Sequence, residues 1–209
     1  MNNKIDTIIF DLGGVLIDWN PEYVYQDVFN GDQEKIDWFL SNICTSDWNV
    51  EQDAGRTLKD GTEILVKQYP EYEKWIRAFY DRWEDMIGGV IKETEDILNF
   101  LKKENKYKLY SLTNWSHETF HIPFQRYDFF KNFEGIVVSG DEKTRKPFPK
   151  IYKIMLERYN LNPQSCLFID DNSDNIGTAE KLGINGIHYK NTNQLINDLS
   201  QFGIKIHQK

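Results

Sequence analysis

Only two cysteines occur in 209 residues, so neither a disulfide framework nor a sulfur-based metal cluster can hold this fold together. Cys44 and Cys166 are expected as buried free thiols of a protein in a reducing compartment. Long basic runs are missing too: no stretch of lysine and arginine exceeds two residues, and 33 acids against 25 bases give a net charge of −8. Polyphosphate backbones are gripped by clustered lysine and arginine, so no nucleic-acid partner is expected. A small phosphorylated ligand is still compatible with this balance, because one local cation pocket outweighs a diffuse distant field. The longest apolar stretch, residues 7–16, is interrupted by Asp11 and is too short to cross a bilayer, so no membrane partner is expected. Met1 leads almost directly into a strand-like segment without room for a signal peptide, and a cytoplasmic location is the expectation. Repeats, low-complexity tracts and Pro/Gly-rich linkers are absent as well.

What is present is a recurring unit, a short apolar β-branched run followed by a helical pattern. The runs cover residues 5–10, 107–112, 135–138, 166–169 and 184–189. Runs of this kind are the pattern of parallel strands buried on both faces. Residues 94–103, 117–127, 149–159 and 174–182 lie between them with apolar positions at helical spacing, and Pro149 suits a first helical turn. Alternating strands and helices predict a doubly wound α/β fold, a Rossmann-like parallel sheet flanked by helices, with ligands at the carboxyl ends of the strands. The alternation breaks between residues 20 and 89, where only helices are predicted, at 22–29, 34–42, 57–68 and 71–86. Trp38, Phe39, Trp75, Phe79, Tyr80 and Trp83 recur there near helical spacing and are expected to pack a small core. The expected organisation is therefore an α/β core, residues 1–19 and 90–209, carrying an all-α insertion at 20–89.

Four polar clusters follow the predicted strands. Asp11 leaves the first strand and is followed by Gly13 and Gly14, whose freedom lets main-chain N–H groups approach an anion closely. Thr113 and Asn114 end the second strand. Lys146 lies in a loop braced by Pro147 and Pro149. Asp170 and Asp171 close the fourth strand, and adjacent carboxylates there suit a hard divalent cation such as magnesium. Taken singly, each has an ordinary explanation as a turn, a helix cap, a braced loop or a solvated acid pair. Together they converge on one rim of the sheet and make up the equipment for phosphoryl transfer through an aspartyl-phosphate. Three carboxylates and a phosphate dianion bring about five negative charges, of which a divalent cation and one lysine neutralise about three. N–H groups after Asp11, at Leu12 and Gly13, and donors from Thr113 and Asn114 have to stabilise the rest.

In this order and over essentially the whole chain, these motifs resemble the haloacid dehalogenase (HAD) superfamily of hydrolases. They are Asp11-Leu12-Gly13-Gly14-Val15, Thr113-Asn114, Arg145-Lys146-Pro147 and Asp170-Asp171-Asn172. The insertion resembles that family's helical C1 cap. The resemblance implies Asp11 as nucleophile, and magnesium held by Asp11, the Gly13 carbonyl and Asp171, with Asp170 acting through water. It implies Thr113 and Lys146 as holders of the phosphoryl oxygens. The expected function is that of a magnesium-dependent phosphatase acting on a small phosphorylated metabolite, sugar phosphates included. A phosphomutase, a 2-haloacid dehalogenase and a non-catalytic phosphate-binding protein are the alternatives. The sequence leaves the oligomeric state open.

Two departures from the family pattern stand out. Phosphatases of the family carry a second aspartate two residues after the nucleophile as general acid and base, and here that position is Gly13. Losing such a group costs about 10²–10⁴ in rate. Glu51 and Asp53 on the predicted cap are candidates to replace it; an acidic leaving group, such as a sugar 1-phosphate, would need it less. The dehalogenases of the family also lack that aspartate and need no metal, but they have serines where this chain has Asp170 and Asp171. They keep an aspartate near Asn175 to activate water, so the acid pair favours metal-dependent phosphate chemistry here. His117, Trp115, Trp48 and Arg56 are further candidates for contacts to substrate.

Overall fold

In the computed structural model, which describes residues 4–206, the chain opens with β1 (Thr7–Phe10), buried at every position. A short ribbon follows, in which β2 (Ile17–Trp19) pairs antiparallel with β3 (Ile87–Val90). The chain between these two strands is helical: α1 (Glu22–Val28), α2 (Gln33–Asn42), α3 (Ser46–Asp53), α4 (Leu58–Gln68) and α5 (Glu73–Asp81). After the ribbon, α6 (Lys92–Glu104) leads to β4 (Lys108–Thr113), α7 (His117–Arg126) and β5 (Gly135–Val138). Then come α8 (Ser139–Glu142), α9 (Pro149–Arg158), β6 (Cys166–Asp170), α10 (Ser173–Lys181), β7 (Asn185–His188) and α11 (Thr192–Gln201).

Five strands form one sheet in the order β5-β4-β1-β6-β7, and every pairing in it is parallel. The chain moves outward from β1 through β4 to β5, then returns to β6 on the other side of β1. That reversal makes the carboxyl end of β1 the switch point where doubly wound sheets open a crevice. Register sharpens the placement: Phe10 pairs with Ser111 and with Ile169, so Asp11 stands level with the ends of both neighbours. Side chains alternate across β1 as pleating requires, Ile8 and Phe10 into one apolar cluster and Ile9 into the other.

Residues of the helical segment share one continuous apolar cluster with that first face of the sheet. Inside it Tyr25 packs on Phe39 with ring centroids 5.0 Å apart, Phe29 meets Trp75 edge-on at 5.0 Å, and Trp48 meets Phe79 at 5.1 Å. Edge-on contacts of this kind add about 0.5–1.5 kcal/mol beyond burial. The helix starts are set locally, because Asp32, Thr45 and Thr57 accept N–H groups from Lys35, Trp48 and Asp60. Each such cap contributes about 1 kcal/mol.

The structure corrects several expectations. Residues 20–89 are not strand-free, since β3 begins at Ile87; its two glycines give no β signal, and it exists by pairing with β2. Residues 46–53 form α3 although their mixed polar sequence shows no apolar periodicity. The helix expected over 71–86 is broken, with α5 flanked by 3₁₀ turns at Pro70–Tyr72 and Trp83–Met86. The helix α11 lies beyond the predicted ones. Trp38 is 42% exposed rather than core, because successive helical residues point about 100° apart and Phe39 takes the buried side. Both cysteines are buried and unpaired, as expected, and burial pushes each thiol up to about 12.

Candidate active site

Asp11 leaves β1 at the switch point, buried, with its two carboxylate oxygens divided between partners. Its Oδ1 accepts the Leu12 N–H at 2.8 Å, and its Oδ2 lies 2.8 Å from Lys146 Nζ. Lys146 also reaches Asp170 Oδ2, at 2.6 Å, so one ammonium bridges the ends of β1 and β6. It is 1% exposed, and its proline-containing loop is also tied to the end of β4. Asn114, at the end of β4, donates from Nδ2 to the Lys146 carbonyl at 3.0 Å and accepts the Lys146 N–H on Oδ1 at 2.8 Å. Burial works to lower the Lys146 pKa, but Asp11 and Asp170 outweigh it and hold the ammonium above its usual value. Asn114→Ala removes both loop contacts and leaves a main-chain pair to find new partners. We expect it to destabilise the protein by about 1–3 kcal/mol, read from urea melts, and to lower turnover more than substrate affinity.

Asp170 is fully buried and is the most heavily bonded of the acids. Besides Lys146, its oxygens accept the Asn172 N–H at 2.8 Å and the Asn175 side-chain amide at 2.9 and 3.1 Å. Asn172 caps α10 by accepting from Asp174 and Asn175, which aims Asn175 back at the strand end. This positioning role of Asn175 was not foreseen, although its place in the first turn of a helix after an acidic strand end was a usable signal. Asp171 is exposed, with its carbonyl oxygen 2.9 Å from His188 Nε2. Asp11, Asp170 and Asp171 each offer a carboxylate oxygen, all within 4.8 Å of one another. Burial first, then Asp170 and Asp171, push the Asp11 carboxyl up against the pull of Lys146. Burial and Asp170 likewise raise Asp171.

The remaining predicted residues separate. Leu12 is buried and its N–H is taken by Asp11; Gly13 faces a cavity. Thr113 is buried with a hydroxyl that has no partner among the described residues, the state expected of a donor kept for a ligand. The side-chain amide of Asn114 braces Lys146, as above. His117 is exposed at the start of α7 and does not line the cavity. Arg56 is turned inward, to Gln52 Oε1 at 2.5 Å and the Trp48 carbonyl at 2.9 Å. Trp48 is core, donating to the Gly61 carbonyl at 2.9 Å, whereas Trp115 does line the cavity.

That cavity, about 70 Å³, lies between the helical segment and the rim of the sheet. Gly13, Asn114, Trp115 and Ser116 form the sheet side; Asn49, Asp53, Tyr80 and Trp83 close it from the helical side. Polar and aromatic contacts fasten the two sides together. The Leu58 N–H donates to Glu118 Oε1 at 2.7 Å, Arg126 pairs with Glu84 at 2.6 Å, and Trp83 meets Trp115 at 5.5 Å.

A parallel sheet with acids and one buried lysine gathered at the switch point has the layout of an enzyme active site. The chain belongs to the haloacid dehalogenase-like hydrolases, whose family model matches residues 5–183. A phosphorylated carbohydrates phosphatase of Thermotoga maritima is 24% identical over 189 residues, covering 88% of this chain and 84% of that protein. A sesquiterpene phosphatase of Aspergillus oryzae is 27% identical over 181 residues, covering 86% and 87%. A HAD family enzyme from Bacteroides thetaiotaomicron, solved in complex with magnesium and inorganic phosphate, superposes with a TM-score of 0.65 at 25% identity. That match covers 89% of this chain and 94% of the other. Among the described residues no helix is long and apolar enough to cross a membrane.

Proposed function

We propose that this hydrolase is a magnesium-dependent phosphatase of small phosphorylated metabolites, working through an aspartyl-phosphate on Asp11. In this reading residues 20–89 are a cap over a core of residues 1–19 and 90–209. The observation that carries it is the placement of a nucleophile-type carboxylate, Asp11, at the switch point with Lys146 and two further acids around it. The phosphatase relatives and the neighbour holding magnesium and phosphate support it.

The donor set fits the metal, since three carboxylates with one ammonium between them form a hard-oxygen site short of positive charge. Asp11, Asp170, Asp171 and the Gly13 carbonyl would hold magnesium, which when bound supplies the charge that lets a phosphate dianion approach these acids. Asp11 Oδ2 attacks phosphorus, and its other oxygen is kept in place by the Leu12 N–H. Lys146 and the free Thr113 hydroxyl stabilise the phosphoryl oxygens. Water then cleaves the aspartyl-phosphate. The cavity under the cap, which Gly13 lines, is where a small leaving group would sit.

A screen of phosphorylated metabolites, run with magnesium and with chelator, tests the proposal. We expect magnesium-dependent phosphate release and incorporation of oxygen from labelled water into the phosphate. Release no higher than that of Asp11→Asn on every substrate would overturn it. Gly14 supplies a further check, because its φ is +72° and an added Cβ would lie 2.3 Å from Asp171 Oδ2. Gly14→Ala therefore has to displace Asp171, and the magnesium concentration for half-maximal activity is expected to rise about 10–100-fold.

A further inference from the structure

Gly13 leaves the reaction without a proton donor beside the nucleophile, and the structure shows what stands opposite the gap. A Cβ added at Gly13 would meet no atom within 4 Å, so the space there is open. Gly13 and Asp53 line the same small cavity, one from the end of β1 and the other from the last residue of α3. Glu51, two residues earlier, does not line it; it is exposed and lies 3.6 Å from Arg145. On a helix, residues two apart point about 200° apart, so only one of this pair can face the site.

The end of α3 is held in place from both sides. Within the cap, Gln52 donates to the Tyr80 hydroxyl at 2.7 Å and to the Trp48 carbonyl at 3.0 Å. Towards the core, Arg145 pairs with Glu51, and a Cβ on Gly55 would come within 3.3 Å of the Gly140 carbonyl. Asp53 is thus half-buried over the site without a side-chain ion pair of its own among those observed. The groups acting on it are Arg145 and Lys146 from the core loop and the Ser116 main chain, while Tyr80 lies beside it on the helical side of the cavity. Burial outweighs the basic groups and pushes its carboxyl up to about 7, so both protonation states are populated near neutral pH. That balance suits a group that gives a proton in one step and takes one in the next.

We infer that Asp53 of the cap is the general acid and base of this enzyme, replacing from across the cavity the carboxylate that Gly13 lacks. The inference rests on the phosphatase reading. In the first half-reaction, the bond from Asp11 Oδ2 to phosphorus forms as the ester P–O bond breaks. The Asp53 proton passes to the leaving oxygen, releasing an alcohol and leaving Asp53 ionised. In the second, a water oxygen attacks phosphorus, the Asp11–phosphorus bond breaks, and the water proton returns to Asp53 as phosphate departs.

Two probe substrates separate this role from simple packing: benzyl phosphate, with a basic leaving group, and p-nitrophenyl phosphate, with an acidic one. Asp53→Asn, nearly isosteric, is expected to lower benzyl phosphate turnover about 10²–10⁴-fold. With p-nitrophenyl phosphate it should still give a burst of one nitrophenolate per enzyme within about tenfold of the wild-type rate, followed by slow turnover. Gly13→Asp placed in the Asp53→Asn background should recover at least about tenfold of the lost benzyl phosphate activity, a result a misfolded cap cannot give. Unchanged benzyl phosphate turnover in Asp53→Asn overturns the inference. So does an equal loss of the first step on both substrates, or a loss that Gly13→Asp does not restore. If instead wild type releases no more phosphate than Asp11→Asn, the phosphatase reading itself has failed.

Discussion

Asp11→Asn is expected to cut phosphate release by about 10⁴-fold or more and to leave the fold intact. In the proposed mechanism the loss follows from chemistry, since an amide oxygen is a far poorer nucleophile than a carboxylate oxygen and cannot form the aspartyl-phosphate. The intact fold follows from the geometry. Asparagine keeps an acceptor for the Leu12 N–H, and Lys146 keeps Asp170 as its ion partner at 2.6 Å. The substitution also removes a carboxyl from a cluster of three acids, two buried and one exposed, in which burial and then neighbouring acids raise Asp11 and Asp171. Without magnesium, thermal melting is therefore expected to rise by a few degrees, equivalent to about 1 kcal/mol in a domain of this size. A variant with lowered melting temperature and proportionally lowered activity would mean that Asp11 is structural.

Lys146→Met is expected to be the most destabilising single change in the site. It keeps the length of the side chain and its packing beside Phe168, whose ring centroid lies 5.4 Å from Nζ. What it removes is the ammonium that bridges Asp11 and Asp170. Asp170 is then left buried with its charge facing two N–H donors and no cation. Removing one partner of a buried ion pair costs about 3–5 kcal/mol, readable as a shift in the denaturation midpoint of the metal-free protein. Adding Asp170→Asn removes the stranded charge and should restore most of that stability without restoring activity. This double-mutant cycle separates the observed bridging by Lys146 from the role toward the phosphoryl group proposed for it. If the double variant is no more stable than Lys146→Met, the bridge is not what stabilises the rim.

Much of the site was legible because each chemical residue follows a strand, and buried parallel strands announce themselves as short apolar runs. Asp11, Thr113 and Asp170 were placed at a shared rim on that ground alone, and register now puts their strands side by side. The ribbon of β2 and β3 was not legible, since a strand with two glycines in four residues owes its existence to a partner far along the chain. Nor was α3, whose residues pack against α4 and the core without a periodic apolar stripe.

Side-chain destinations divide the same way. Asn114 was read as a donor toward phosphate, and the structure adds that its amide braces the main chain of a lysine 32 residues away. Asp170 and Asp171 are neighbours in sequence, yet one is fully buried and bridged while the other is exposed, because β6 ends at Asp170 and Asp171 begins the loop beyond it. Glu51 and Asp53 were equal candidates until the helix carrying them was docked on the core.

Composition and motif order were enough to define which chemical groups this protein brings to a sheet's edge and the family to which it belongs. A short basic inventory and an interrupted apolar run were enough to turn expectation away from nucleic acid and membrane. The distances between those groups, the ammonium that Asp11 and Asp170 share and the carboxylate that lines a cavity with Gly13 came from tertiary packing. Local patterns encode backbone conformation over a few residues, whereas charge pairing and burial depend on contacts between segments that the sequence keeps far apart.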